Sequence, residues 1–159
     1  MLSAGLHFSR KVFSFFLRAF VSLPDGSAWT LDLLGNGMMS ESWKRLTRRF
    51  RLDSRVTFHG YVSNEERDRT VHDCDVLVFP SLFEGWPAMV AEASSQDLPD
   101  ITPDLHGMGD TVNERYGFLA SARNPHILVQ GIASAITKLD NDKQLLTKLS
   151  RGPWSALQN

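Results

Sequence analysis

Apolar residues along this chain switch repeatedly between the unbroken or alternating runs of a strand and the three-to-four spacing of a helix. LSAGL, Leu2 to Leu6, reads as a strand end. Phe13, Phe16, Leu17 and Phe20 recur at helical spacing within Val12 to Leu23, and Pro24-Asp25-Gly26 stops that helix. WTLDLLG, Trp29 to Gly35, predicts a strand running into the glycine turn Gly35-Asn36-Gly37. A helix follows over Ser42 to Phe50 and a strand over Arg55 to Gly60. Ser63 is placed to cap a charged helix reaching Asp73, with Glu66 three residues on as a capping-box partner. Val76 to Phe79 is apolar without a break, which predicts a central strand covered on both faces. Trp86 to Ser95 is the next helix, and two more run from His126 to Leu139 and from Asp142 to Ser150. Strands alternating with helices predict an α/β domain: a parallel sheet with helices on its faces.

Size and charge narrow the picture. With 159 residues the chain is expected to form a single domain, 1–159, with a proper core, and its composition is that of an ordinary folded protein. A net charge of −1 gives no electrostatic case for nucleic acid or an acidic membrane. Arg48, Arg49 and Arg51 read as a solvated helix face. The single cysteine, Cys74, allows no internal disulfide and fits a reducing compartment; beside VLVF it reads as a small buried hydrophobe. Arg10-Lys11 followed by VFSFFL imitates a signal peptide, but Arg18 interrupts the apolar run and no small-residue cleavage site follows. No run approaches the roughly 18 apolar residues of a membrane span, and a cytoplasmic location is expected.

Chemistry concentrates in VFPSLFEGWPAMVAEAS, Val78 to Ser94. A buried strand ends at Ser81, and Glu84-Gly85 open a helix that carries a second carboxylate, Glu92, eight positions on. Amides at a helix start suit phosphates, and carboxylates suit sugar hydroxyls, so the layout fits a phosphorylated, hydroxyl-rich ligand. Elsewhere the signals are weaker. Gly35-Asn36-Gly37 is not a G-x-G-x-x-G, because position 40 is Ser40. Asp73-Cys74-Asp75 has a D-x-D form, but it precedes a buried strand and reads as local capping. The five histidines, His7, His59, His72, His106 and His126, lack metal-ligand spacing, although His106-Gly107 is a weak candidate for the site.

Five segments in order resemble the donor-binding half of group 1 glycosyltransferases, the retaining, nucleotide-sugar-dependent enzymes of GT-B fold. They are GLHFSRKVFSFFLRAF, LDLLGNG, RVTFHGYVS, CDVLVFPSLFEGWPAMVAEA and, in part, DLP at Asp97 to Pro99. The resemblance implies a Rossmann-like parallel sheet and a role for each matching residue. Lys11 would meet the donor phosphates and offset charge on the departing pyrophosphate. Glu84 would lie against the donor sugar and the reacting centre, and Glu92 would accept hydrogen bonds from the ribose hydroxyls. Backbone N–H groups of Gly85, Trp86 and Ala88 would face the phosphates, while Pro87 has none to give. Gly60, Tyr61 and Val62 would border the nucleotide base, and Gly35 and Gly37 would line the cleft. No metal or other cofactor is implied; the UDP-, GDP- or ADP-linked sugar is the substrate.

Departures from the pattern carry expectations of their own. Leu6 stands where the family has an arginine beside the lysine, and loss of such a cation costs on the order of a hundredfold in rate. Val12 replaces a glycine. Asp97 and Asp100 replace a glycine and a core valine, so the strand near Ile101 is expected to be short or displaced. Glu92 lies in the apolar stretch AMVAEA, which calls for a partner to its charge. The acceptor-binding half is missing from the pattern, both ends look cut, and retaining transfer needs a closed cleft. The chain alone is therefore expected to be inactive, with an acceptor domain working in trans and any peripheral membrane contact passing through that half. The alternative is a non-catalytic remnant or partner subunit. A Rossmann oxidoreductase lacks its glycine fingerprint here, and a GT-B epimerase would also need a second half.

Overall fold

The structure, a computed structural model, describes residues 1–5, 7, 13–24, 26–82, 88–105 and 116–150. The described residues form six strands: β1 (Leu2–Ala4), β2 (Leu31–Leu34), β3 (Val56–Gly60), β4 (Leu77–Val78), β5 (Asp100–Asp104) and β6 (Gly117–Ser121). With them come six helices: α1 (Phe13–Val21), α2 (Ser40–Arg49), α3 (Asn64–His72), α4 (Ala88–Ser95), α5 (Pro125–Asn141) and α6 (Lys143–Ser150). The strands make one sheet in the order β3-β2-β1-β4-β5-β6, every pairing parallel. This is the doubly wound, Rossmann-like order, so the predicted α/β class holds.

The strand and helix periods explain the two layers of core. Along β4 and its flanks, Val76 and Val78 join one apolar cluster, while Leu77 and Phe79 join the other. Side chains alternate across the pleat, so an unbroken apolar run is what a strand covered on both faces requires. The larger cluster takes Phe13, Phe16, Leu17 and Phe20 of α1, Trp43 of α2 and Leu128, Ile132 and Ile136 of α5. Val71 of α3 and Val90 and Ala93 of α4 build the smaller one. The four α1 residues picked out by their spacing are each at most 1% exposed.

Capping fixes several helix bounds. Ser63 Oγ accepts the Glu66 N–H at 3.1 Å, as predicted for α3. Asn124 and Asp142 do the same for α5 and α6, accepting from Ile127 and Leu145 at 2.9 Å. Helix α2 begins at Ser40, two residues before the predicted start, and closes through Arg51 at φ 56°.

Two expectations fail around the last strands. β5 is neither short nor displaced: all five of its residues pair in register with β6, and Asp100 and Ile101 pair with β4 on the other side. Asp100 stands inside the sheet at 1% exposure, and burial pushes its carboxyl up to about 7, so below that pH the group enters the core uncharged. Asp97, in the place of a glycine, adopts glycine's conformation at φ 56°. There it closes α4: Leu98 N–H bonds Ala93 O at 3.0 Å and Asp97 N–H bonds Ser94 O at 3.2 Å, a Schellman pattern with Leu98 packed into the smaller cluster. β6 has no counterpart among the predicted elements.

Candidate functional site

Strand order reverses between β1 and β4, because β1 leads outward to β2 and β3 while β4 leads outward to β5 and β6. In an open parallel sheet the crevice at such a switch point, beyond the carboxyl ends of the strands, is where ligands bind. Here that edge is formed by Gly5 after β1, the Gly35–Gly37 turn after β2, Gly60 to Val62 after β3 and Phe79 to Leu82 after β4.

The glycine turn is fitted against the exit of β1. A Cβ on Gly35, whose φ is 104°, would lie 2.1 Å from Gly5 O, and one on Gly37 would lie 2.7 Å from His7 O. Only glycine permits that approach. The three strand ends are then tied together: Gly5 N–H donates to Leu34 O at 3.1 Å, His7 N–H to Asn36 O at 3.1 Å and Gly35 N–H to Gly60 O at 2.6 Å. Gly35, Gly37 and Gly60, picked out in the sequence, are thus brought to one edge. Tyr61 beside them is 73% exposed, whereas Val62 packs on the smaller cluster with Val90 and Ala93 of α4. The turn after β3 and the helix bearing Glu92 therefore lie on the same face of the sheet.

Glu92 sits on the solvent side of α4, its side chain 49% exposed. Its Oε2 is 4.0 Å from Nη1 of Arg67, whose Nη2 binds Asp68 at 2.9 Å. The partner called for by an apolar helix is thus held loosely, because exposure removes most of the cost of the charge. The carboxylate is left accessible. Ala88 opens the described part of α4 and is exposed. Lys11, Glu84, Gly85 and Trp86 lie outside the described residues, as do Leu6, Val12, Pro87 and the weak candidates His106 and Gly107.

Sequence reasoning missed a polar group at this edge. His7, 4% exposed, places Nδ1 2.8 Å from Ser40 Oγ, and its ring centroid is 4.7 Å from that of Trp43. Ser40 Oγ also accepts the Gly37 N–H at 2.9 Å and donates to Asn36 Oδ1. Thirty-three positions separate His7 from Ser40, so no local spacing announces the pair.

Other features do not compete for the site. A cleft of about 620 Å³ lies at the opposite, amino-terminal edge of the sheet, lined among others by Cys74, Asp97, Leu98 and Leu146. Burial pushes the Cys74 thiol up, which keeps it protonated at neutral pH, although the residue is half-buried at the cleft and not the fully buried hydrophobe expected. Among the described residues no three His, Cys, Asp or Glu side chains gather to hold a metal ion. No described helix is long and apolar enough to cross a membrane.

Known proteins share this architecture. The chain is 25% identical over 123 residues to glycogen synthase of Mycobacterium tuberculosis, a match covering 77% of this chain and 29% of that protein. Among solved structures it superimposes on the pneumococcal O-GlcNAc transferase GtfA, in complex with UDP and GlcNAc, with a TM-score of 0.86 at 15% identity, over 99% of this chain and 31% of that one. It also superimposes on the C-terminal domain of the group 1 glycosyl transferase LpcC from Francisella tularensis, with a TM-score of 0.82 at 19% identity, over 99% of this chain and 83% of that domain. This chain thus spans under a third of the glycogen synthase it matches. At these identities the superpositions speak for the fold alone. The family profile of the glycosyl transferases group 1 matches residues 1–138, most of the chain, and the chain belongs to that family.

Proposed function

We propose that this chain is the donor-binding, carboxyl-terminal half of a retaining glycosyltransferase, and that a nucleotide-diphosphate sugar lies across the carboxyl ends of β1 and β4. The observation that carries the reading is the switch point. The connections leaving the neighbouring strands β1 and β4 diverge there, and the sequence runs from the strand ends into Lys11 and Glu84. Support comes from outside the chain as well: the GtfA structure contains UDP and GlcNAc, and the LpcC fragment is a carboxyl-terminal domain matched over 83% of its length.

In this reading Glu92, accessible on α4, accepts hydrogen bonds from the ribose hydroxyls. The Gly60–Val62 turn borders the nucleotide base, and the Gly35–Gly37 turn lines the cleft. Lys11 and the N–H groups of Gly85, Trp86 and Ala88 stabilise the pyrophosphate, whose charge grows as the bond to the sugar C1 breaks. Glu84 lies against the sugar. No metal takes part. The sugar then passes to an acceptor hydroxyl held by a second half, which closes the cleft and excludes water. Titration calorimetry against UDP-, GDP- and ADP-sugars tests the reading: binding of one class is expected, and failure to bind any at millimolar concentration refutes it.

Leu6 favours a second reading, a donor-binding partner subunit without turnover, because the usual arginine at that place is absent. Assays with an added acceptor domain separate the two. Sugar transfer by the pair supports an enzyme, and binding without transfer supports the subunit.

A further inference from the structure

Hydrogen-bond roles around His7 are fixed by one backbone group. Gly37 N–H can only donate, and it points at an Asn36 side-chain atom at 2.8 Å, so that atom is the amide oxygen. The Ser40 hydroxyl meets the same oxygen and must donate its proton there. With that proton committed, Ser40 Oγ can only accept, from Gly37 N–H and from His7. The His7 imidazole therefore carries a hydrogen on Nδ1. Its backbone is held as firmly, donating to Asn36 O at 3.1 Å and accepting from Met39 N–H at 3.0 Å. The ring packs on Trp43, which in turn packs on Phe13 at the start of α1, with centroids 5.0 Å apart. His7 is thus pinned by backbone, side chain and ring contacts to the turn after β2, four residues before Lys11.

We propose that His7 is a positioning residue for the diphosphate of the donor. The Nδ1–H···Ser40 bond anchors the exit of β1 on the Gly35–Gly37 turn, so the segment that reaches Lys11 starts from a fixed point. The proposal rests on the donor-site reading above. Its consequence is specific to phosphate: loosening the anchor weakens contacts to the diphosphate and leaves those to the base and ribose alone.

The test compares binding of a nucleoside diphosphate with that of its monophosphate, using UDP and UMP, GDP and GMP, and ADP and AMP. His7→Leu, which keeps an apolar filler but no N–H, is expected to lose about tenfold in diphosphate affinity. Monophosphate affinity should stay within about twofold, a difference that general loss of structure would not produce. His7→Asn, which keeps an N–H close to the Nδ1 position, should restore the gap. Ser40→Ala, the milder change should His7→Leu not fold, should narrow it as His7→Leu does. Equal losses for both ligands, or no loss for either, overturn the proposal. If the wild-type chain binds none of the nucleotides, the donor-site reading fails. Anchoring is then judged by amide exchange over residues 35–39, which His7→Leu must accelerate and His7→Asn must not.

Discussion

Replacing Asp100 with asparagine should flatten the dependence of stability on pH between 5 and 8. The wild-type carboxyl is 1% exposed at the start of β5, and among the described residues its Oδ1 has no hydrogen-bond partner. A Cβ on Gly117 of the neighbouring strand would lie 2.4 Å from that oxygen, so the space is closed and water cannot enter from that side. Burial raises the folded pKa from 3.8 to about 7. Between those values the folded state holds a proton that the unfolded state has released. The neutral carboxyl's contribution is therefore fully present below the unfolded pKa and is lost as pH rises through the folded one. Each pH unit between the two values corresponds to about 1.36 kcal/mol, so the full span is about 4 kcal/mol. The interval from pH 5 to the folded pKa alone corresponds to about 2.7 kcal/mol. Against a typical total of roughly 5–15 kcal/mol this is large enough to read in urea titrations. Far-UV circular dichroism at pH 5, 6, 7 and 8 should show the wild type losing this increment while Asp100→Asn does not. Parallel curves for the two proteins would refute the burial of a protonated carboxyl.

Asp97→Gly should raise stability by about 1 kcal/mol, since it relieves a left-handed residue and removes a buried oxygen that has no partner among the described residues; a lower urea midpoint would argue against the Schellman cap. Gly35→Ala should cost about 3 kcal/mol or more, because φ is 104° and Gly5 O stands where the methyl would go; thermal melts within a degree of wild type would contradict that packing. Ser63→Ala should cost about 1 kcal/mol through the lost cap on α3, and an unchanged urea midpoint would mean that the cap contributes nothing.

Elements whose signals are local could be read from the sequence. The helix stripe of α1, the cap at Ser63 and the unbroken run Val76 to Phe79 all stand where their patterns put them. β5 misled because an aspartate in a strand signals a charge, whereas burial inside the sheet keeps this one protonated up to about pH 7. β6 was missed because Gly-Phe-Leu-Ala-Ser takes its extended form from pairing along the full length of β5, a partner it finds only in the fold. The same division runs through the site. The glycine turns and Glu92 are marked by local pattern, but the link from His7 to Ser40 depends on β1 and β2 lying side by side.

The central claim is that a nucleotide-sugar donor lies at the carboxyl edge of the sheet with its ribose against Glu92. Among the described residues the Glu92 side chain makes only a long, exposed contact to Arg67, so Glu92→Ala should leave stability within about 0.5 kcal/mol, and a change in binding can be assigned to the ligand. The most direct measurement is calorimetric binding of a nucleotide sugar and its 2′,3′-dideoxy analogue to wild type and Glu92→Ala. Wild type is predicted to favour the ribose form by about tenfold and the variant to bind both alike. A variant that keeps the preference, or a wild-type chain that shows none, would contradict the account.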